Sequence, residues 1–227
     1  MTSPQRPEFW PNTNMPYFLY NMRGSKHLRT GSGMVQNVIK ITDSCPCHKC
    51  KQSDKPSDHY WNILVHTAAN LVFDDIEASH TTCRLFYDTE NSPDMVLRVE
   101  QNIDFKKYIT NDCSSFYFVT CDKQLVDRLV NICEQYRSLS ASIYTKYKDT
   151  RDLDRFMFIV SHPHGCSKQV SFGQWKDKYV KGFFNNVFTY LTCTCDGSSG
   201  APVYILGHVM SYHSGSLKYG LSYSIYG

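Results

Sequence analysis

The sequence predicts an all-β protein with two antiparallel β-barrels and one linking helix. Short runs rich in β-branched and aromatic residues recur along the chain between polar turns, a pattern typical of barrels. One segment, 123–139, carries its apolar residues at helical spacing instead; they are Leu125, Leu129, Ile132, Cys133 and Tyr136. The 227 residues, 41% of them hydrophobic, are enough to bury the core of one domain or of two small ones.

We expect four regions along the chain. An N-terminal arm, 1–27, is polar and contains several prolines, and its aromatic residues are able to pack on a surface as an extended segment. The first β-barrel follows over 28–122, the linker helix over 123–139 and the second β-barrel over 140–227.

The expected strands are short and are separated by turn residues. In the first barrel they are 30–35 continuing as 38–41, then 60–66, 71–73, 83–87, 96–99 and 116–119. In the second barrel they are 156–160, 169–172, 187–191, 203–206 and 209–212. The sequence Ser-His-Pro-His-Gly at 161–165 is expected to be a loop between two of the later strands.

The composition narrows the classes of partner. The net charge is +3 and no cluster of five or more basic residues occurs, so we expect no nucleic-acid partner. No run approaches the ~20 apolar residues of a membrane helix, and the polar start lacks the apolar stretch of a secretory signal. We therefore expect a cytoplasmic protein whose ten cysteines are free thiols or metal ligands, with disulfides as the alternative if a signal had been lost.

Three cysteines form a candidate metal site. Cys45, Cys47 and Cys50 stand in a Cys-x-Cys-x-x-Cys pattern, which brings three thiolates within reach of one tetrahedral ion. Zinc prefers such soft ligands, and the ion would be structural. The fourth ligand would come from one of three residues: His48, His80 or Cys83. The alternative is a polar loop with incidental cysteines.

One glycine-rich bend stands before a buried strand. Residues 197–202 read Gly-Ser-Ser-Gly-Ala-Pro and lead into the apolar run 203–206. Gly197 lets the backbone turn so that its own N–H and that of Ser199 point at one spot. Gly200 removes a side chain beside the hydroxyl of Ser199. A plain hairpin turn is the alternative for this stretch taken alone.

Three features upstream accompany this bend. Gly-Ser-Gly at 31–33 opens the first strand, and the strand 60–66 runs into Thr-Ala-Ala at 67–69, followed by Asn70. Asp112 lies just before the strand 116–119. Together with the bend, these motifs resemble the chymotrypsin/trypsin-like serine protease superfamily, and the resemblance covers roughly residues 28–225.

The resemblance implies a role for each matched position. It implies that Ser199 is the nucleophile, that the N–H groups of Gly197 and Ser199 form the oxyanion hole, and that Asp112 orients the general base. In the family the base is a histidine after Thr-Ala-Ala, whereas this chain has Asn70 there. Ser198 stands where trypsin-type zymogens carry the aspartate used in their activation, so the resemblance is to intracellular, viral or bacterial members.

The same resemblance suggests a specificity pocket. Glutamyl endopeptidases and picornaviral main proteases show a similar threonine and histidine that hold a P1 Glu or Gln side chain. Thr194 and His213 match those positions, and Cys193 lies beside Thr194. A hydroxyl and an imidazole can bond a carboxylate or an amide, and leaving them unpaired disfavours apolar side chains. The alternative for His213 is a partly exposed strand histidine.

Asn70 changes the expected activity. An asparagine accepts no proton at neutral pH, whereas an imidazole titrates near pH 6.5. Loss of the base from such a triad costs roughly 10⁶ in turnover, so we expect a chain that is nearly inactive as a peptidase. Three explanations remain open: an engineered replacement, a natural pseudoprotease that binds peptides or proteins without cutting them, or another histidine such as His66 acting as base. His66 is the weakest, since a three-residue offset moves its side chain by ~10 Å to the opposite face.

Overall fold

The computed structural model describes residues 1–93, 95–99, 106–181, 185–217 and 220–225. Within these ranges the predicted fold class is confirmed, because the chain is mostly β with one long helix between its two halves. The strands are β1 (Met34–Ile41), β2 (Tyr60–Thr67), β3 (Thr82–Leu85), β4 (Met95–Arg98), β5 (Lys106–Tyr108), β6 (Cys113–Thr120), β7 (Phe156–Ser161), β8 (Gln169–Lys181), β9 (Asn185–Tyr190), β10 (Pro202–Ile205), β11 (Ser211–Ser216) and β12 (Ser222–Ile225).

The helices are fewer and, with one exception, short. They are α1 (His48–Lys51), α2 (Asp75–Ala78), α3 (Lys123–Tyr147) and α4 (Arg151–Asp154), and single 3₁₀ turns lie at Tyr20–Met22, Ile109–Asn111 and Pro163–Gly165.

In the N-terminal half, two antiparallel sheets share one core. Four strands pair in the order β1-β2-β6-β5, and β3 pairs with β4. Alternate residues of β2 and β6 point inward, so that Ile63 lies opposite Phe118 and Val65 opposite Phe116. Leu85 of β3 joins the same cluster, so the hairpin and the larger sheet bury one apolar interior.

The C-terminal half is a closed barrel of six strands in the order β7-β8-β9-β12-β11-β10. Closure pairs every strand on both sides and leaves no free edge. The interior is filled by large apolar side chains, among them Met157, Ile159, Phe188 and Val203. The glycine-rich bend lies in the connection between β9 and β10 of this barrel, and β10 pairs with β11 directly after it.

Helix α3 begins where the sequence predicted and ends later. The side chain of Asp122 caps it by accepting from the N–H of Leu125. Its buried residues, from Leu125 to Cys133, pack against the first half. The predicted end at 139 is wrong, since the helix continues to Tyr147. The apolar periodicity ends earlier because the last turns are exposed, but no Gly or Pro interrupts them.

Three other expectations need correction. Residues 71–73 form a turn rather than a strand, because Asp74 caps helix α2 immediately afterwards. The strand expected at 209–212 begins only at Ser211, after a turn closed by the N–H of His208 on the carbonyl of Ile205. The N-terminal arm is folded back rather than extended, with Phe9 paired to Pro16.

Candidate active site

Asn70 and Asp112 contact each other through two hydrogen bonds. The backbone N–H of Asn70 donates to Oδ1 of Asp112 at 2.8 Å, and its side-chain Nδ2 donates to Oδ2 at 2.6 Å. Nδ2 also donates to the carbonyl oxygen of Ser214 at 2.6 Å. Both hydrogens of the amide are therefore used, and the carboxylate is held against the residue at the base position.

Asp112 is completely buried. Its position follows from local structure, since it ends a 3₁₀ turn with φ of 46°, a left-handed conformation that Asp tolerates better than most residues. Its carbonyl accepts from the N–H of Ala69 at 3.1 Å, which ties it to the residue before Asn70. Burial raises the pKa of Asp112 to about 8, although the hydrogen bonds from Asn70 act in the opposite direction.

The segment that carries Ser199 packs directly on the turn before Asn70. At Gly200 a side-chain Cβ would lie 2.2 Å from Oγ1 of Thr67 and 2.8 Å from the N of Ala68, and φ is +80°. Only glycine allows this approach. The N–H of Gly200 donates to the carbonyl of His213 at 2.8 Å, next to the residue whose carbonyl holds Asn70. These contacts place the segment around Ser199 beside the turn that carries Asn70, where Asn70 is bonded to Asp112.

The two expected oxyanion N–H groups lie on peptide units whose carbonyls are already bonded. The carbonyl of Asp196 accepts from the N–H of His164 at 2.5 Å, and that of Ser198 accepts from the N–H of Ala201 at 2.9 Å. Because N–H and C=O point in opposite directions in a trans peptide, the N–H groups of Gly197 and Ser199 point the other way. Within the described ranges neither donates a hydrogen bond, so both are available to a ligand oxygen.

Ser32 joins the two halves at this loop. Its Oγ donates to the carbonyl of Gly197 at 2.8 Å and accepts from the N–H of His162 at 2.9 Å. Its backbone N–H donates to the carbonyl of Ser199 at 2.9 Å, and its own carbonyl accepts from Oγ1 of Thr67 at 2.7 Å. Ser32, a buried residue of the Gly-Ser-Gly motif, therefore links the glycine-rich bend to the loop 161–165 and to Thr67.

Ser198 is fully buried and has a local role. The N–H of Cys195 donates to its Oγ at 3.2 Å, which closes the bend from within. Gly197 is required at its position because a Cβ would lie 2.5 Å from the carbonyl oxygen of His162. The loop 161–165 thus supports the bend from outside through its backbone.

The other histidines near the Asn70 turn and the glycine-rich bend have contacts of their own. Nδ1 of His66 lies 3.3 Å from the hydroxyl of Tyr212, and the two rings contact each other at a centroid distance of 6.0 Å. His162 stacks on Tyr87, and burial lowers its pKa. His164 is exposed.

The expected specificity residues lie along one face of the second barrel. His213 is 3% exposed and its Nδ1 lies 2.8 Å from the hydroxyl of Tyr190. Thr194 contacts Ser222 through their hydroxyls at 2.8 Å. His213 lies opposite Ser224 of β12, two residues from the Ser222 that Thr194 contacts. The points on β12 beside the histidine and the threonine are therefore about 7 Å apart. Cys193 is exposed.

Burial determines the charge of the specificity histidine. Desolvation lowers the pKa of His213 to about 4. Burial likewise raises the pKa of Tyr190 well above its usual value, so the phenol keeps its proton. At neutral pH both partners of this hydrogen bond are therefore uncharged.

Four cysteines come together far from the cleft. The thiol sulfurs of Cys45, Cys47, Cys50 and Cys121 all lie within 4.8 Å of one another, a group that could hold a metal ion. Cys121 is 3.8 Å from Cys47 and 3.7 Å from Cys50. Four sulfurs around a tetrahedral zinc at about 2.3 Å would be about 3.8 Å apart, which fits these distances.

The fourth thiol differs from the expected ligands. His48 is exposed, and its Nε2 lies 3.2 Å from the side-chain nitrogen of Gln52. His80 contacts the carbonyl of Ile76, and Cys83 packs on the first core. The described residues thus bring the three predicted cysteines together with Cys121.

Sequence reasoning missed three residues of these sites. Ser32 lies in the Gly-Ser-Gly motif and Ser214 follows His213, but the sequence indicated a role for neither. Their hydrogen bonds to the other half of the chain exist only once the two halves are packed together. Cys121 follows β6 and is distant in sequence from the other thiols. The pairing of Trp61 with Thr120 places it beside them, and that register is a tertiary fact.

Comparison with known proteins finds similar structures but no similar sequence. The chain matches no protein-family model and no curated protein. It resembles the active form of the Rv3671c protease from M. tuberculosis, with 12% identity, a TM-score of 0.41 and coverage of 84% of this chain and 75% of that one. The inactive form of that protease gives 10% identity, a TM-score of 0.39 and coverage of 74% and 77%.

A third similar structure is the HtrA-type protease AlgW with a decapeptide, with 8% identity and a TM-score of 0.41. It covers 83% of this chain and 58% of that one. We therefore base the proposed function on the chain's own residues. Within the described ranges, no helix is both long enough and apolar enough to cross a bilayer.

The buried carboxyl of Asp112 predicts a pH dependence of stability. Its pKa is about 8 in the folded chain and near 3.8 when unfolded, so folding favours the protonated form. The free energy of unfolding should therefore fall as the pH rises from about 4 through 8. Urea unfolding at pH 5 and pH 9 measures this fall, and we expect it to be smaller in Asp112→Asn. Asp58→Asn, at an exposed site, is the matched control, and an equal fall in both variants would contradict the assignment.

Proposed function

We propose that this chain has a serine-endopeptidase scaffold that binds peptide or protein substrates but has almost no hydrolytic activity. The observation that best supports this proposal is the pair of hydrogen bonds from the amide of Asn70 to Asp112 and to the carbonyl of Ser214. In the proposed arrangement this amide occupies the position of the general base that would accept the proton of Ser199. It fills the position and keeps the carboxyl group of Asp112 in place, but it has no basic nitrogen.

The rest of the machinery supports the acyl-transfer assignment. The hydroxyl of Ser199 would attack a peptide carbonyl, and the N–H groups of Gly197 and Ser199 would bind the oxygen that becomes negatively charged. Attack requires that the hydroxyl proton leave as the new bond forms. With Asn70 no group accepts it, so the acyl-enzyme forms at a small fraction of the normal rate.

Two origins of Asn70 fit this proposal. It is either a replacement in a working peptidase or the natural residue of a pseudoprotease that acts as a peptide-binding module. The second candidate is favoured by one observation: both amide hydrogens of Asn70 are bonded. The first is favoured by the intact support of the oxyanion loop, which binding alone does not need. His66 contacts Tyr212 instead, and this disfavours it as the base.

Restoring the base should separate these candidates. We expect Asn70→His to raise the turnover of a peptide library by roughly 10⁴ or more, since the triad works as a unit. Cleavage kinetics and labelling of Ser199 by a fluorophosphonate measure the change. The double variant Asn70→His/Ser199→Ala is the control and should be inactive. Absence of cleavage by Asn70→His would favour the binding module, whereas rapid labelling of the unaltered chain would contradict the proposal.

The pocket of Thr194 and His213 supports a P1 Glu or Gln preference. If the hydroxyl of Tyr190 donates to Nδ1 of His213, the remaining ring nitrogen carries the hydrogen and donates into the pocket. A neutral N–H donor suits the carbonyl of a glutamine amide better than it suits a glutamate, whose charge would lack a cation. Glutamine is therefore the preferred P1 residue at neutral pH.

Specificity can be measured in the Asn70→His background. We expect kcat/KM for a P1 Gln peptide to exceed that for the matched P1 Glu peptide by at least tenfold at pH 7. His213→Leu should lower the value for the Gln peptide about 100-fold, because the amide then loses its buried partner. His27→Leu, the same substitution at an exposed histidine outside the pocket, is the control and should change neither value. Equal cleavage of P1 Gln and P1 Leu peptides would contradict this pocket assignment.

We also propose that Cys45, Cys47, Cys50 and Cys121 hold a structural zinc ion. The four thiols match a tetrahedral ligand set in type, number and spacing. Cys121 follows β6 and Asp112 precedes it, so the eight residues of this strand separate the two by about 27 Å. The ion would join the β1–β2 connection to the end of β6 and take no part in the reaction.

The zinc assignment has a direct test. We expect about one zinc per chain after dialysis, and we expect Cys121→Ser to lose most of it and to unfold at a temperature several degrees lower. His48→Ala separates the two candidate fourth ligands, because it should keep the metal if Cys121 is the ligand. Metal analysis together with thermal unfolding measures both effects. Less than a tenth of an ion per chain in the unaltered protein would dispose of the site.

A further inference from the structure

Charged and polar residues of the N-terminal arm are buried against the turn that carries Asn70. Arg6 is 1% exposed, and Thr2 and Ser3 are fully buried. The arm is held at its ends, since the N–H of Thr2 donates to the carbonyl of Ser25 at 2.8 Å. A polar segment that is buried so completely has partners within the fold.

Arg6 makes a forked ion pair with a buried glutamate. Its Nε donates to Oε1 of Glu77 at 2.7 Å, and its Nη2 donates to Oε2 at 2.7 Å. The guanidinium also lies over the rings of Tyr17 and Phe73, 5.8 and 5.7 Å from their centroids. Both charged side chains are fully buried, so each depends on the other for compensation.

Glu77 collects further donors. It accepts from the backbone N–H groups of Ser3 at 2.8 Å and of Phe73 at 2.9 Å, and from Arg29. Burial alone would raise the pKa of Glu77, but these hydrogen bonds and the charge of Arg6 hold it below its usual value. The carboxylate is therefore ionised, and it depends on cations from the N-terminal part of the chain.

The same cations reach the base position. Nη1 of Arg6 donates to the carbonyl of Asn70 at 2.9 Å, and Nε of Arg29 donates to the carbonyl of Leu71 at 2.7 Å. Residue 70 is thus held from two sides. Its N–H and side chain are bonded to Asp112, and its carbonyl is bonded to the arm.

We propose that Arg6 is a positioning residue for residue 70 and that the N-terminal arm is an intramolecular clamp on the active-site turn. The ion pair with Glu77 fixes the guanidinium, and the guanidinium in turn fixes the carbonyl of residue 70. This inference rests on the proposed function where it concerns activity, but the clamp itself is a property of the chain as it stands.

The double variant Arg6→Met/Glu77→Gln tests the clamp by removing both members of the fully buried ion pair, while Arg29, whose side chain is 15% exposed, keeps its hydrogen bond to the carbonyl of Leu71. In the unaltered background, we expect the backbone amides of Asn70 and Leu71 to exchange with solvent at least tenfold faster, while that of Phe118 in β6 changes less than twofold. Arg23→Met, an exposed arginine of the same arm, is the matched control and should change neither. Equal acceleration of the exchange at Asn70 and Phe118, or none at Asn70, would overturn the proposal.

A second readout addresses activity. In the Asn70→His background, we expect the same double variant to lower kcat at least tenfold and to leave KM within threefold, because the base is displaced while the peptide cleft is retained. Arg6→Lys should be intermediate, since it keeps the charge and loses the fork. An unchanged kcat would overturn the positioning role. If Asn70→His is itself inactive, the binding-module origin of the proposed function is favoured, and the exchange measurement still decides the clamp.

Discussion

The candidate site depends on the burial of Asp112 against residue 70. A carboxyl group without access to solvent is costly unless donors surround it, and the backbone and side chain of Asn70 supply two. This contact fixes the turn after Thr67 in the first half. The second half joins through the carbonyl of Ser214, which accepts from the same amide. Asn70 is therefore held by both halves of the chain.

The glycine-rich bend is also held by its neighbours, through its backbone. The N–H groups of Gly197 and Ser199 point away from the carbonyls of Asp196 and Ser198, which are bonded to His164 and Ala201. Ser32 of the first half then holds Gly197 and Ser199 from the opposite side. A loop of glycine and serine is flexible in isolation, and here hydrogen bonds from neighbouring residues fix its backbone. On the far side of the turn, the buried pair of Arg6 and Glu77 plays a similar part.

The sequence predicted the elements better than their ends and their long-range partners. Strand alternation in β2 and β6 was readable because one face is buried, whereas residues 71–73 were mistaken for a strand because their apolar side chains enter the core from a turn. The end of α3 was missed because exposed turns carry no apolar period. Cys121 and Arg6 were missed because nothing near them in sequence indicates their partners.

The sequence by itself determined the fold class, the glycine-rich bend, the position of Ser199 and the absence of a histidine at 70. These follow from residue type and local spacing, and covalent geometry limits what such spacing can form. Only the tertiary structure decided which donors surround Asp112, which thiol completes the cysteine group and why the arm is buried. Those outcomes depend on strand register and on the docking of the two halves, which bring together groups that are 42 to 165 residues apart in sequence, and no local pattern encodes such separations.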